Sequence, residues 1–143
     1  MTTHYQLFFD GSSLGQGRRG GPGPSAGAAV LIDENGVLHA TSLYLAKADS
    51  DIAEYTGLLC GLETAWQRGA TSLLIKGDSR NTIDQILGKK TVSKSSLVEL
   101  RNRALDLLTH FPHWQILWIA RKHNKLADGE ARLCLTRFAN HDQ

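Results

Sequence analysis

The spacing of apolar residues changes once along this chain, and the change limits what it can fold into. Tyr5, Leu7 and Phe9 alternate with His4, Gln6 and Phe8, the period of a strand with one buried face. Ala28 to Ile32 reads as a second strand and Val37 to Leu45 as a third. Between them lies Asp33-Glu34-Asn35-Gly36, whose Asn-Gly pair signals a tight hairpin turn. Consecutive strands joined by short connections imply an antiparallel meander. Beyond residue 50 the period becomes helical, and helices then alternate with short apolar strands. That alternation calls for parallel strands joined by right-handed crossovers, so the chain is expected to be α/β.

In the second half, Asp51 is the expected N-cap of a helix carrying Ile52, Tyr55, Leu59, Leu62 and Trp66 inward, stopped by Gly69. Thr71 to Ile75 is the fourth strand. Arg80 to Leu87 is a helix opened by Asp78 or Ser79, and Gly88 to Ser95 a basic connector. The next helix runs from Ser96 to about His110 with Leu97, Leu100, Ala104, Leu107 and Leu108 inward. Trp114 to Ile119 is the fifth strand, and a last helix starts near Lys125. Leu14 to Gly27 is expected to be a long hairpin loop. Its Gly15-Gln16-Gly17-Arg18-Arg19-Gly20 matches a dinucleotide fingerprint in form only, since Pro22, Pro24 and a strand follow where a helix must open. Arg18 and Arg19 at its tip could touch phosphate, although exposed loop arginines are usually just solvated.

With 143 residues, 41% of them hydrophobic and 21% charged, the chain suits one globular domain spanning 1–143 with no linker to divide it. Its +2 net charge is too slight to call for a polyanionic partner unless the basic residues gather on one face. No apolar run is long enough for a bilayer, and the first residues lack the charged-then-apolar pattern of a secretory signal. Cys60 and Cys134 read as buried free thiols of a cytoplasmic protein.

Four carboxylates stand at structural boundaries. Asp10 is expected at the last residue of strand one, where Gly11 turns the backbone away, and Asp78 just past strand four. Glu54 and Asp128 are expected in the first turns of two helices. Taken singly, Asp10 reads as a turn residue and Glu54 as a complement to the helix dipole. Taken together they share one edge if strand four lies parallel beside strand one, where α/β sheets gather ligands. Four acids in one cleft repel unless cations intervene. All-oxygen ligation, with no Cys or paired His (His110 and His113 read as surface), points to Mg²⁺ or Mn²⁺ rather than Zn²⁺. Such a set suits two ions roughly 4 Å apart clamping a phosphodiester.

Four segments carry a resemblance. Phe9-Asp10-Gly11-Ser12, Ile52-Ala53-Glu54-Tyr55-Thr56-Gly57-Leu58, Lys76-Gly77-Asp78-Ser79 and Arg121-Lys122-His123-Asn124-Lys125-Leu126-Ala127-Asp128 resemble the four signatures of type 1 ribonuclease H, in the family's order and spacing. The resemblance implies a five-stranded mixed sheet, three antiparallel strands then two parallel ones, flanked by helices. It implies an endonuclease cutting the RNA strand of an RNA/DNA hybrid and leaving 5′-phosphate and 3′-hydroxyl ends. Two Mg²⁺ ions, with Mn²⁺ as substitute, would be held by Asp10 bridging both, Asp128 on the water side, and Glu54 with Asp78 on the leaving-group side. Glu54 would lie near the ribose 2′-hydroxyl, the group by which RNA is told from DNA. The implied substrate contacts are Gly11, Ser12, Ser13, Ser50, Asp51, Ser79, Arg80 and Asn124, with Lys89 and Lys90 as a modest basic handle. A monomer with no protein partner is expected.

The segment differs from the family at two places. Asp49-Ser50-Asp51 stands where the family has Thr-Asn-Asn, and two carboxylates there would repel phosphate. The flexible loop that bears a catalytic histidine in many members is missing, which leaves His123 for proton transfer and Arg121 for the scissile phosphate. Two other readings compete: a hybrid-binding module without turnover, and a relative on the same fold acting on DNA junctions or 3′ ends.

Overall fold

The computed structural model describes residues 2–14 and 22–139. In chain order the elements are β1 (His4–Ser13), β2 (Gly23–Ile32), β3 (Leu38–Ala48), α1 (Ser50–Gln67), β4 (Ser72–Gly77), α2 (Arg80–Ile86), α3 (Ser95–Leu108), β5 (His113–Trp118), a 3₁₀ turn (Arg121–His123) and α4 (Lys125–Ala139). One sheet of order β3-β2-β1-β4-β5 joins all five strands. β1, β2 and β3 pair antiparallel, whereas β4 lies parallel to β1 and β5 parallel to β4, which is the mixed sheet expected.

The odd residues of β1 set the core. Tyr5, Leu7 and Phe9 are buried with Leu73, Ile75 and Ile116 of the neighbouring strands, beneath Tyr55, Leu58 and Leu62 of α1 and Leu97, Ala104 and Leu108 of α3. A smaller cluster of Ala26, Cys134, Leu135 and Ala139 joins α4 to the antiparallel half of the sheet. Cys134 is buried and Cys60 half-buried, and both are free thiols. Among the described residues no helix is long and apolar enough to cross a membrane.

Several boundaries differ from expectation, each for a local reason. β1 does not stop at Asp10. It continues to Ser13 because β2 starts at Gly23 and pairs with it as far as Ser13↔Ser25, so the expected loop of Leu14 to Gly27 is partly strand. The Gly15 to Gly20 stretch, with Arg18 and Arg19, lies outside the described residues. β3 runs on to Ala48, whose carbonyl accepts from the Ser25 hydroxyl at 2.8 Å. Asp49, not Asp51, caps α1: its backbone is extended and its carboxylate accepts from the Ile52 amide at 2.9 Å. Asp51 falls inside the first turn, where it complements the helix dipole. Trp66 does not point inward; it is Ala65 beside it that enters the core. Its ring is exposed and stacks on His110 at 4.0 Å.

Gly11 has a different task from the one its sequence context implies. It makes no turn; it lets α1 lie directly on the strands. A Cβ on Gly11 would sit 2.5 Å from the carbonyl carbon of Ala53. One on Gly57 would sit 2.7 Å from the carbonyl oxygen of Ala28, and also against that of Asp10. Side chains cannot occupy such spaces, so glycines on both surfaces set the depth at which α1 docks and hence where Glu54 stands.

Candidate active site

The parallel ladder between β1 and β4 ends at Phe9↔Gly77, while the antiparallel ladder between β1 and β2 continues beyond it. The next residue on each parallel strand is therefore a carboxylate, Asp10 or Asp78, at the point where the sheet opens. α1 docked on Gly11 brings Glu54 to the same point. One oxygen from each of Asp10, Glu54 and Asp78 lies within 4.8 Å of the others. Glu54 is in the second turn of its helix rather than the first, because α1 begins at Ser50.

These acids line a cleft of about 290 Å³ together with Gly11, Ser12, Ser13, Ser50, Arg121 and Asp128. Asp128 is in the first turn of α4, as expected, and stands outside the tight group of three. Its carboxylate is held by Arg132 one turn along, at 3.2 Å. The cleft thus brings all four predicted carboxylates to one opening, three in near contact and one at the rim.

Electrostatics in the cleft are unfavourable as it stands. Asp10 is 4% exposed, and burial first, then the charges of Asp78 and Asp128, push its pKa from 3.8 to about 7 despite hydrogen bonds with Glu54 and the Gly11 backbone. Burial and the neighbouring Asp10 and Asp78 hold Glu54 well above the usual carboxylate range. A hydrogen bond between two carboxyl groups needs a proton on one of them, so the metal-free pair shares one. The Oε2 of Glu54 is buried with no hydrogen-bond partner. An unpartnered acceptor among crowded acids, with no sulfur or imidazole in the group, is a donor set that fits hard divalent cations.

Asn124, expected to contact substrate, does something else. It is 1% exposed, and its side-chain amide donates to the Phe9 carbonyl at 2.8 Å and to Asp78 Oδ2 at 3.1 Å. Its own carbonyl accepts from the Asp128 amide at 3.1 Å. Its side chain therefore closes the end of the β1–β4 ladder and fixes the Asp78 carboxylate, while its backbone carbonyl seats the first turn of α4. Sequence reasoning missed this task; an Asn directly ahead of an apolar helix pattern is the one signal that hints at it.

The other expected contacts divide. Ser12, Ser13 and Ser50 reach the cleft, although the Ser13 hydroxyl is tied to Ser25 at 2.8 Å. Arg121 lines the cleft from the 3₁₀ turn, whereas His123 on the same turn is exposed and outside the lining. Ser79 caps α2 by accepting from the Thr82 amide. Arg80 lies on the Trp118 ring, 3.9 Å from its centroid. Lys89 and Lys90 are exposed and do not line the cleft, and Lys90 donates to Asn81. Asp49 is not a free charge facing phosphate, because Lys94 pairs with it at 2.7 Å. That pair removes half of the repulsion expected from Asp49-Ser50-Asp51.

Topology and cleft together define a protein of the reverse transcriptase-like class, whose family model matches residues 11–134. The chain is 33% identical over 129 residues to the ribonuclease HI of Halobacterium salinarum, covering 90% of this chain and 62% of that protein. It is 33% identical over 114 residues to the bifunctional protein Rv2228c of Mycobacterium tuberculosis, covering 78% of this chain but 31% of that protein. The crystal structure of RNase H1 from Halobacterium salinarum matches with a TM-score of 0.85 and 32% identity over 94% of this chain and 98% of that one. The N-terminal RNase H domain of the mycobacterial protein matches with a TM-score of 0.90 and 27% identity, over 99% and 100%. The chain belongs to the ribonuclease H family. It spans under a third of the mycobacterial relative and under two thirds of the archaeal one.

Proposed function

We propose that the chain is a divalent-metal-dependent endonuclease that hydrolyses the RNA strand of RNA/DNA hybrids, leaving 5′-phosphate and 3′-hydroxyl ends. The observation that carries this reading is the convergence of Asp10, Glu54 and Asp78 within 4.8 Å, with Asp128 on the rim of the same cleft. Kinship supports the substrate: a structural neighbour of 23% identity and TM-score 0.83, LC11-RNase H1, was solved in complex with an RNA/DNA hybrid.

In this reading Asp10, Glu54, Asp78 and Asp128 hold two Mg²⁺ ions, with Mn²⁺ as substitute. When bound, the ions supply a water of lowered pKa and compensate charge building on the phosphodiester. The rest is done by the chain. Asp10, whose carboxyl is crowded by Glu54, Asp78 and Asp128, would contribute to holding both ions, while Asn124 holds the Asp78 carboxylate. Asp128, on the first turn of α4 and paired with Arg132, would help hold the ion on the water side. Arg121, which lines the cleft, would meet the scissile phosphate with its guanidinium as a bidentate donor. His123 is exposed and does not line the cleft, whereas Arg121 does, so Arg121 is the better candidate of the two. Glu54, at the depth set by Gly11 and Gly57, faces the ribose 2′-hydroxyl. The chain acts as a single cytoplasmic domain and as a monomer.

The test is a panel of equal-length substrates labelled at either end: RNA/DNA hybrid, duplex DNA, duplex RNA, single strands and a four-way DNA junction. Internal cuts confined to the RNA of the hybrid are expected. Preferential cutting of the junction, or release of 3′-terminal nucleotides only, would replace this reading with one of the DNA-directed alternatives.

A further inference from the structure

Beside the cleft, on the side formed by β5 and α2, stands a cation stacked on an aromatic ring that the chemistry of the four acids does not use. Trp118, the last residue of β5, is 40% exposed, and its indole Nε1 donates to the backbone carbonyl of Asp78 at 3.1 Å. That bond fixes the ring plane relative to a residue whose carboxylate lines the cleft. The exposed Arg80 side chain lies over the ring with its guanidinium carbon 3.9 Å from the centroid.

Stacking uses the face of a guanidinium and leaves the donors at its edge free. Among the described residues no hydrogen bond or ion pair occupies those donors in Arg80. Exposed arginines ordinarily lose substantial side-chain freedom on binding. Here the ring has already restricted it, so little is lost when an anion arrives. The carboxylate of Asp78 lines the cleft, and among the described residues no ion pair joins Arg80 to Asp84 one turn along α2. The wall therefore offers one oriented, unpaired positive charge next to a strongly acidic opening.

We propose that Arg80 and Trp118 act as one unit, a preoriented clamp for a backbone phosphate of the bound hybrid, with Trp118 as the positioning residue. This rests on the hybrid reading and adds a specific contact to it. The clamp supplies charge that the weak overall +2 does not, at the place where the acids would otherwise push the polyanion away. Stacking makes the contribution of Arg80 conditional on Trp118, which separates this unit from a merely solvated arginine.

The experiment measures binding of a fluorescein-labelled RNA/DNA hybrid by anisotropy in Mg²⁺, in an Asp10→Asn background that does not cleave, at several salt concentrations. Compared are that background alone and with Arg80→Ala, Trp118→Phe, Trp118→Leu, and Arg80→Ala with Trp118→Leu. Loss of one phosphate contact lowers the slope of log affinity against log salt by about 0.9. Between 50 and 200 mM salt, the advantage of the parent over Arg80→Ala should therefore shrink about 3.5-fold. Trp118→Leu should lose much of the same slope and Trp118→Phe, which keeps a stacking face, less. The combined variant should bind no more weakly than Arg80→Ala alone. An unchanged slope in Arg80→Ala, or equal weakening by Trp118→Leu with and without Arg80, overturns the clamp. Because the slope reports only the folded, binding-competent fraction, loss of stability in Trp118→Leu does not imitate this outcome. No binding by the parent, together with no cleavage by the unaltered chain, instead defeats the hybrid reading.

Discussion

Replacing Asp10 by Asn should make the metal-free protein more stable at alkaline pH while destroying its activity. Asp10 is buried, and desolvation followed by the charges of Asp78 and Asp128 raises its pKa from 3.8 to about 7. A carboxyl whose folded pKa exceeds its unfolded value favours folding least when ionised. Its contribution is intact below the unfolded pKa near 4 and lost as pH rises through the folded pKa near 7. Each pKa unit corresponds to about 1.4 kcal/mol, so the three-unit rise costs on the order of 4 kcal/mol by pH 8. Glu54 is shifted in the same direction and becomes easier to ionise once Asp10 is neutral. In EDTA at pH 8, Asp10→Asn should therefore raise Tm by on the order of 10 °C, at roughly 2–4 °C per kcal/mol for a chain of this size. Near pH 4.5 the two proteins should melt within about 3 °C of each other. Thermal melts of both from pH 4.5 to 8 measure the difference directly, because ionisations elsewhere cancel. Mg²⁺ should narrow the gap at pH 8 by stabilising only the unaltered cleft. Parallel pH curves for the two proteins, or a lower Tm for Asp10→Asn at pH 8, would refute the crowded-acid reasoning.

Three further substitutions probe the surrounding frame. Gly57→Ala puts a methyl group against the Asp10 and Ala28 carbonyls, so α1 must lift off the sheet. Melting should report a loss of about 3 kcal/mol, and cleavage should fall because Glu54 leaves the cleft. Asp49→Ala removes the α1 cap and should cost about 1 kcal/mol by urea denaturation, with activity retained. Asn124→Ala strips donors from the Phe9 carbonyl and from Asp78, at a cost of about 2 kcal/mol. It should also raise the Mg²⁺ concentration needed for half-maximal cleavage, which calorimetric titration of Mg²⁺ can confirm independently of turnover.

The sheet order was readable because each strand reports its own environment. Tyr5, Leu7 and Phe9 alternate, the Asn35-Gly36 turn fixes one hairpin, and the later helices force crossovers. The four acids were readable only as a set: each alone has a local reading as a turn or helix-dipole residue, and it is their common placement at strand ends and early helix turns that points to one edge. What stayed hidden depends on contacts between distant segments. Gly11 beside Asp10 reads as a turn until α1 is seen lying on it. Asp51 is the expected cap on paper, and the extended backbone at Asp49, which begins the helix one residue later at Ser50, moves the cap to Asp49. Asn124 reads as a substrate contact because the partners that bury it, Phe9 and Asp78, are 115 and 46 residues away. Trp118 reads as half of a strand pattern, and its bond to the Asp78 carbonyl belongs to the fold alone.

The most direct test of the acidic cleft as a metal-dependent catalytic centre is cleavage of an end-labelled RNA/DNA hybrid by the unaltered chain and by Asp10→Asn, each with Mg²⁺ and with EDTA. Internal cuts in the RNA strand are expected only from the unaltered chain and only with Mg²⁺. Equal cutting by Asp10→Asn, or undiminished cutting in EDTA, would contradict it.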